Sequence, residues 1–289
     1  MGFDEDTLRK LKKVQLLTLL EIKRICDKYD IKYTPIGGTL LGTIRHQGFI
    51  PWDDDIDVGM LRSEYNRFIE AAKKELRPEF FLQTYETDEH YPKAIARICV
   101  NDTIYAMRWD DHTGIHKGVF TDVFPYDNSP DSKIFQKIHK YSIYWLHLVT
   151  YYKYNYVKRK SLKAKVGFPV LSLPFILADK LQVRILYEKS MQKYNKRDTE
   201  YVVRTGSGYP YEKVRVKRHL MEEVETRYFE GKPISVMVGY HEHLSDNYGD
   251  YMQLPPVEKR RNVQLESTNI SLGIYDDEVY LDKCISQYS

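Results

Sequence analysis

Residues 37–60 read GGTLLGTIRHQGFIPWDDDIDVGM, and the rest of the chain is interpreted outward from this stretch. Gly37 and Gly38 open a short run with helical character over residues 39–46. Residues 47–52 carry Gly48 and Pro51 and read as a loop. Asp53, Asp54 and Asp55 follow, and residues 56–60 read as a strand containing Asp57. On a strand, alternate side chains share a face. Asp53, Asp55 and Asp57 then point one way, while Asp54, Ile56 and Val58 point to the core side. Neighbouring carboxylates on one face stand roughly 6.6–7 Å apart at Cα, within reach of divalent ions about 3.5–4 Å apart. Unpaired carboxylates at 4 Å repel by roughly 4 kcal/mol at a surface-like dielectric, so this acid density calls for a cation. Hard oxygen ligands favour Mg²⁺ or Mn²⁺ over zinc. The competing reading is a solvated acidic turn helped by Gly48 and Pro51. The upstream glycines and the apolar Ile56 and Val58 in register favour the metal site, with Asp55 and Asp57 ahead of Asp53 and Asp54. A second strand should add an acid. Asp122, in the apolar run GVFTDVFPYD, is the candidate, since a carboxylate there is costly unless paired or metal-bound. Asp127 falls in a turn-like segment and reads as structural.

The bulk properties narrow the field. At 289 residues, 42% hydrophobic and 29% charged, the chain can bury a sizeable core. A net charge of +3 argues against general nucleic-acid binding. Cys26, Cys99 and Cys284 are far apart and suit neither a zinc site nor a disulfide framework, so a reducing cytoplasm is expected. The first residues, MGFDEDTLRKLKKVQ, are too charged for a signal peptide, and no apolar run reaches the roughly 18 residues of a spanning helix. Tyrosine is in excess, 25 residues, partly in a block from Tyr141 to Tyr156. A stacking platform, an interfacial helix and composition bias all account for it.

The expected architecture is α+β, a mixed sheet flanked by helices, with a helical central segment and a C-terminal helical region. Residues 5–29 form an amphipathic packing helix, 31–36 a strand, and 63–76 a helix stopped by Pro78. Strands follow at 80–84, 94–100, 104–108 and 119–124, the last running into a turn at 125–130. Residues 132–148 form an aromatic helix and 240–248 a short helix capped by Gly249. The tail beyond residue 261 is polar and carries no pattern. Three segments result: 1–130 as the catalytic core, 131–200 as a helical, aromatic and basic insert, and 201–289 completing the domain. Within the insert, the basic run 153–165 adjoins GFPVLSLPFIL at 167–177. It is either a segment resting in lipid headgroups or a buried helix pair with a solvated face.

The glycine–acid stretch resembles the LicD family of phosphotransferases, related to the fukutin group and to polymerase-beta-like nucleotidyltransferases. The likeness continues in TDVFPYD at 121–127, in Phe229-Glu230-Gly231 with Pro233-Ile234, and in YGDYMQLPP at 248–256. It covers residues 20 to 261 in the family's order, although residues 131–200 carry no family motif. The resemblance implies metal-dependent transfer of a substituted phosphate, phosphocholine first, from a CDP-activated donor to a sugar hydroxyl of a cell-surface glycan or its lipid-linked precursor, with release of CMP. It places the metal pair on Asp55 and Asp57, the third acid on Asp122, and the donor-phosphate glycines on Gly37 and Gly38. In that reading the backbone at Gly38 and Thr39 holds phosphate oxygens at a helix N-terminus. Arg45, Lys93 and Arg97 are candidate clamps that are otherwise ordinary surface cations. Aromatics should face a donor ammonium, with Trp52, Trp109 and Tyr126 nearest in sequence. Two alternatives stay open: transfer of the nucleotide itself to an acceptor, and a non-catalytic glycan- or nucleotide-binding protein on the same scaffold. The implied place of action is the cytoplasm, with contact to the inner membrane face through 153–177.

Overall fold

The computed structural model describes residues 5–107, 111–156, 162–207, 209–260 and 267–288, and side chains in these ranges except those of 162–166, 207, 267 and 268. The N-terminal amphipathic pattern becomes helix α1 (Glu5–Tyr29), which lies under the central sheet. Leu11, Leu19, Ile22 and Ile25 are fully buried, each worth roughly 1.5–3 kcal/mol of transfer free energy. Polar side chains on this face reach partners on other elements, although Gln15 Oε1 has none among the described residues. Gln15 Nε2 donates to the Asp54 carbonyl at 2.7 Å, and Thr18 meets Thr121 at 2.5 Å. Buried Glu21 accepts from Arg24 and Tyr288. The helix therefore does more than pack: Gln15 holds the acidic segment from below.

The next elements are β1 (Thr34–Pro35), α2 (Gly37–His46), β2 (Asp57–Leu61), α3 (Arg62–Glu75), β3 (Phe80–Gln83), β4 (Ala96–Val100), β5 (Ile104–Met107) and β6 (Phe120–Ser129). Then come α4 (Lys133–Lys153), α5 (Leu162–Ser172), α6 (Lys180–Met191), β7 (Tyr201–Val203) and β8 (Arg215–Lys217). The chain continues with β9 (Val224–Phe229), β10 (Lys232–Met237), α7 (Tyr240–Tyr248), β11 (Ser267–Ser271) and α8 (Glu278–Ser286). The main sheet has the order β1-β2-β6-β4-β3, with β7 also pairing with β6 and β8 with β7. The β2–β6 pair is parallel and its other pairs are antiparallel. The architecture is thus α+β with a mixed sheet and packed helices, as expected.

Three expectations need correction. The turn at 125–130 is instead the second half of β6. Its polar residues are buried because each finds a partner. Asp127 takes a bidentate pair from Arg62 at 2.8 and 2.6 Å. Asn128 bonds the Arg197 carbonyl and Ser129 the Tyr211 hydroxyl. Pro125, which cannot donate to a ladder, falls in the gap between the β4 pairing, ending at Val123, and the β7 pairing, starting at Asp127. The strand at 31–36 shortens to β1. The tail is structured: β11 pairs with β5, and α8 packs on α1 through Arg9 and Lys13, which meet Glu278. Among the described residues no helix is long and apolar enough to cross a membrane.

Candidate functional site

Strand β2 begins only at Asp57, so Asp53 to Ile56 are not in a ladder. Their burial nevertheless alternates: Asp54, Ile56 and Val58 are buried and Asp53, Asp55 and Asp57 half-buried. Asp54 turns away from the other acids and accepts from the buried Tyr105 hydroxyl at 2.9 Å. Asp53 turns toward them. A Cβ built on Gly38 would stand 2.2 Å from Asp53 Oδ2, so only glycine leaves room for that carboxylate beside α2. One built on Gly37 would lie 3.9 Å from Asp57 Oδ2. Gly37 has φ +56, a conformation glycine adopts without cost. Thr39 does not present its oxygen to the gap alone, since Oγ1 accepts from the Asp57 backbone N–H at 2.9 Å and ties α2 to β2. The N-cap residue of α2 is Ile36, whose side chain has no group to cap the first-turn N–H groups.

Asp122 lies directly beside Asp57 in the parallel register of β2 and β6, and Arg97 faces Asp122 across β4. Arg97 Nε donates to Asp122 Oδ1 at 2.6 Å, with its guanidinium 3.6 Å from the Phe120 ring centre. A cation missed in the sequence completes the row. Arg204, just after β7, holds Nη1 3.9 Å from Asp57 Oδ2. Nothing in its local sequence marks it; pairing of β7 with the unforeseen half of β6 brings it in.

The acids perturb one another. Burial, then Asp55, hold the Asp57 carboxyl well above the usual carboxylate range, with Asp122 and Asp53 adding to the effect and Arg204 opposing it. Burial, then Asp55 and Asp54, push Asp53 up to about 8, and Asp53 shares a hydrogen bond with Asp55. Asp54 is pushed up to about 6 by burial, against the Tyr105 hydrogen bond. Crowded carboxyls of this kind ask for either a proton or a cation. Among the described residues no three acidic, histidine or cysteine side chains are placed, as they stand, to hold a metal ion. The Asp53–Asp55 hydrogen bond must open and one Asp122 oxygen is already held by Arg97, but the all-carboxylate donor set suits a hard divalent ion.

The other predicted cations are not brought to the acids. Arg45 sits at the opposite end of α2, about 12 Å along the helix from Gly37, and donates to the carbonyls of Tyr251 and Gln253. Lys93 offers its carbonyl to Arg184 and lies near His147, a histidine that burial, and then Lys93, lower to about 4. Of the aromatics, Trp52 stacks under Arg260, Tyr126 is buried against Gly59, and Trp109 lies outside the described residues. Two exposed rings lie close enough to feel the acids instead. Burial and the acids, Asp57 and Asp53 among them, raise the hydroxyl pKa of both Tyr209 and Tyr248.

The later sequence motifs brace this site. The β9–β10 turn places Glu230 and Gly231 at φ 50 and 72, a type I′ pattern in which glycine is usual and glutamate strained. Glu230 is held there because its carboxylate accepts from the Phe49 N–H at 2.9 Å and its own N–H donates to the Gln47 carbonyl. Phe49 and Phe229 rings pack edge to face at 4.9 Å. The 248–256 block supplies the carbonyls that hold Arg45. The tyrosine block splits by role: Tyr151 and Tyr156 pack into the core margin, whereas Tyr141 and Tyr144 line a cleft of about 550 Å³ with His147, Tyr209 and Arg204.

The sequence matches the family model described as "LicD/FKTN/FKRP, nucleotidyltransferase domain" over residues 30–176. It is 34% identical over 271 residues to the lipopolysaccharide cholinephosphotransferase LicD of Haemophilus influenzae, covering 91% of this chain and 98% of that one. An uncharacterized protein of Rickettsia prowazekii is 30% identical over 108 residues, 37% of this chain and 36% of its own. Another from Rickettsia typhi is 41% identical over 56 residues, 19% of this chain and 16% of its own. With the aligned acids at the glycine-opened end of α2 and a relative matched almost end to end, this chain belongs to the LicD family.

Proposed function

We propose that the protein transfers a substituted phosphate, phosphocholine first, from a CDP-activated donor to a sugar hydroxyl of a cell-surface glycan or its lipid-linked precursor, releasing CMP. The observation that carries this reading is the register of Asp57 beside Asp122 on adjacent parallel strands, with Asp53 and Asp55 gathered at the uncapped N-terminus of α2. The activity for which the Haemophilus relative is named, lipopolysaccharide cholinephosphotransferase, supports the choline group and a lipopolysaccharide-type acceptor.

Asp53, Asp55 and Asp57 would hold Mg²⁺ or Mn²⁺, which supplies neutralisation of charge on the donor phosphates. The unpaired N–H groups of the first turn of α2 bind phosphate oxygens. Asp122, its rotamer fixed by Arg97, takes the proton of the acceptor hydroxyl. The acceptor oxygen bonds to the distal phosphorus, the bond from that phosphorus to the bridging oxygen breaks, and CMP leaves with that oxygen. Exposed Tyr209 and Tyr248 are the rings placed to face a donor ammonium.

The same reading includes contact with a membrane surface by the helical insert. Val170, Leu173, Ile176 and Leu177 are exposed, Leu177 by 97%, and Ile134, Phe135, Ile138 and Tyr141 extend the apolar surface along α4. Exposed Lys133 and Lys137 flank it. Apolar anchors bordered by lysines suit an anionic bilayer surface. Much of the basic run, residues 157–161 with the side chains to 166, lies outside the described residues.

The test is a panel of CDP donors assayed by CMP release with Mg²⁺ or Mn²⁺, with the label followed to the acceptor. CDP-choline turnover and labelled choline phosphate on the acceptor are expected, and Asp57→Ala should fold and be inactive. Nucleotide on the acceptor would instead favour the nucleotidyl-transfer reading. A folded Asp57→Ala protein with normal turnover would sink both.

A further inference from the structure

Arg204 is buried, with its side chain 9% exposed, yet its Nη1 makes no hydrogen bond among the described residues. The nearest carboxylate oxygen, Asp57 Oδ2, is 3.9 Å away, beyond hydrogen-bonding range. The guanidinium is held in place by rings, 4.9 Å from the Phe124 centre and 5.3 Å from that of Tyr209. Its backbone N–H is tied to the Val214 carbonyl. It is therefore positioned, shielded from water, and left with a donor to spend.

The same guanidinium borders the start of α2 through Nη2, while Nη1 lies on the Asp57 side. A Cβ on Gly37 would stand 3.8 Å from Nη2 and 3.9 Å from Asp57 Oδ2, in ordinary contact with both, so Arg204 and Asp57 border the start of the helix where glycine carries no side chain. At that start are the uncapped first-turn N–H groups of α2. Two independent sets of N–H donors thus converge above a carboxylate row. An anion with several oxygens, bound together with a cation, satisfies both at once, and a guanidinium fork matches phosphate geometry.

We propose that Arg204 is the clamp for the transferred phosphate: its guanidinium, with Nη1 unpartnered, binds an oxygen of the distal phosphate of the donor beside Asp57 and the start of α2. The proposal rests on the phosphotransfer reading above and adds a residue to it. Arg204 also joins the acid row to the tyrosine-lined cleft, so the group carried on that phosphate is directed toward Tyr209.

A different role for Arg204 would be simple compensation of charge on Asp57, and the two roles separate by measurement. Binding of CDP-choline and of CMP, which lacks the distal phosphate, is measured by calorimetry with Mg²⁺ for wild type, Arg204→Gln and Arg204→Lys, alongside Mn²⁺ binding without nucleotide. The clamp predicts that Arg204→Gln weakens CDP-choline binding about 10- to 100-fold. CMP binding should change less than threefold, and Arg204→Lys should recover part of the loss. Mn²⁺ should bind Arg204→Gln as tightly as wild type or more so, since a cation beside Asp57 is gone. Unchanged CDP-choline affinity in both variants, with tighter Mn²⁺ binding, would overturn the clamp and leave the phosphotransfer reading intact. Wild-type protein that binds none of the CDP donors would remove that reading and the clamp with it. If Arg204→Gln does not fold, Arg204→Lys decides alone: it keeps the charge but loses the fork, so equal CDP-choline affinity overturns the proposal.

Discussion

Replacing Gly38 with alanine should inactivate the enzyme while leaving its stability nearly untouched, and the neighbouring Gly42→Ala provides the contrast. The added Cβ at residue 38 would lie 2.2 Å from Asp53 Oδ2 and 3.4 Å from its Cγ. Ordinary contact begins at 3.4 Å, so the carboxylate oxygen must retreat by about 1.2 Å. The retreat is cheap, because the obstacle is the tip of a side chain. An off-rotamer aspartate costs about 0.5–1.5 kcal/mol, and the shift disturbs the hydrogen bond that Asp53 shares with Asp55. Gly38 has an ordinary negative φ, so alanine recovers up to about 1 kcal/mol of helix propensity. The net change in stability should fall within about 1 kcal/mol of zero. Activity behaves differently: displacing a reacting-site group by about 1 Å can cost on the order of 100-fold. At Gly42 the added Cβ would meet the Gly48 carbonyl oxygen at 2.5 Å and the Ile50 nitrogen at 3.3 Å. Those are backbone atoms of a loop fixed by Glu230, so the strain has no cheap outlet and should cost about 1–3 kcal/mol. Urea unfolding gives the stabilities and Mg²⁺-dependent CMP release the rates. Equal destabilisation by the two substitutions, or Gly38→Ala turnover within about threefold of wild type, would refute the reasoning.

Two further outcomes follow from the same structure. Asp53, Asp54 and Asp57 have folded pKa values raised by burial and by one another, so the metal-free folded state holds protons that the unfolded chain has already lost. Their stabilisation is complete below about 3.8 and is lost as pH rises through the folded values. His147 and His243, both lowered to about 4 chiefly by burial, act in the opposite sense, but only below about 6.5. From about pH 6.5 to 8 the acids dominate: the melting temperature without metal should fall with pH, and saturating Mg²⁺ should flatten the fall. A metal-free melting temperature that rises across that window, or a slope indifferent to Mg²⁺, contradicts the carboxylate cluster. Separately, the protein should float with anionic liposomes, and the double substitution Ile176→Asp with Leu177→Asp should reduce the floated fraction severalfold at unchanged stability. Equal flotation of the two proteins would remove the membrane contact.

The parts of the fold visible in the sequence are those where one physical signal acts alone. Helix α1 appears as an apolar stripe because a single face is buried, and the helix over 63–76 matches α3 to within a residue because Pro78 ends it. The second half of β6 stays hidden because Pro125, Asp127, Asn128 and Ser129 carry turn chemistry. Their strand conformation depends on Arg62, Asn195 and Tyr211, partners distant in the chain. The tail is missed for a related reason. Its strand β11 has five residues, and its helix α8 has nine, with one fully buried apolar residue, Leu281, and ion pairs to Arg9 and Lys13 at its surface.

At the site, Asp53, Asp55 and Asp57 are half-buried and Asp54 and Ile56 buried, as strand alternation predicts, but no strand causes it. Asp53 to Ile56 are not in a strand, yet Asp54 is buried and Asp53 is not, because Gln15 and Tyr105 pull the Asp54 backbone and carboxylate inward. The glycines carry the complementary information. Gly38 is required by Asp53 rather than by backbone conformation, so the double glycine and the acidic run are one feature, two halves of a single steric and electrostatic fit. Asp53 therefore belongs with Asp55 and Asp57, and Asp54 alone faces away. Arg204 has no such local signature. It reaches Asp57 only because β7 pairs with the very portion of β6 that the sequence disguises as a turn, so missing that strand extension and missing that cation have the same physical origin.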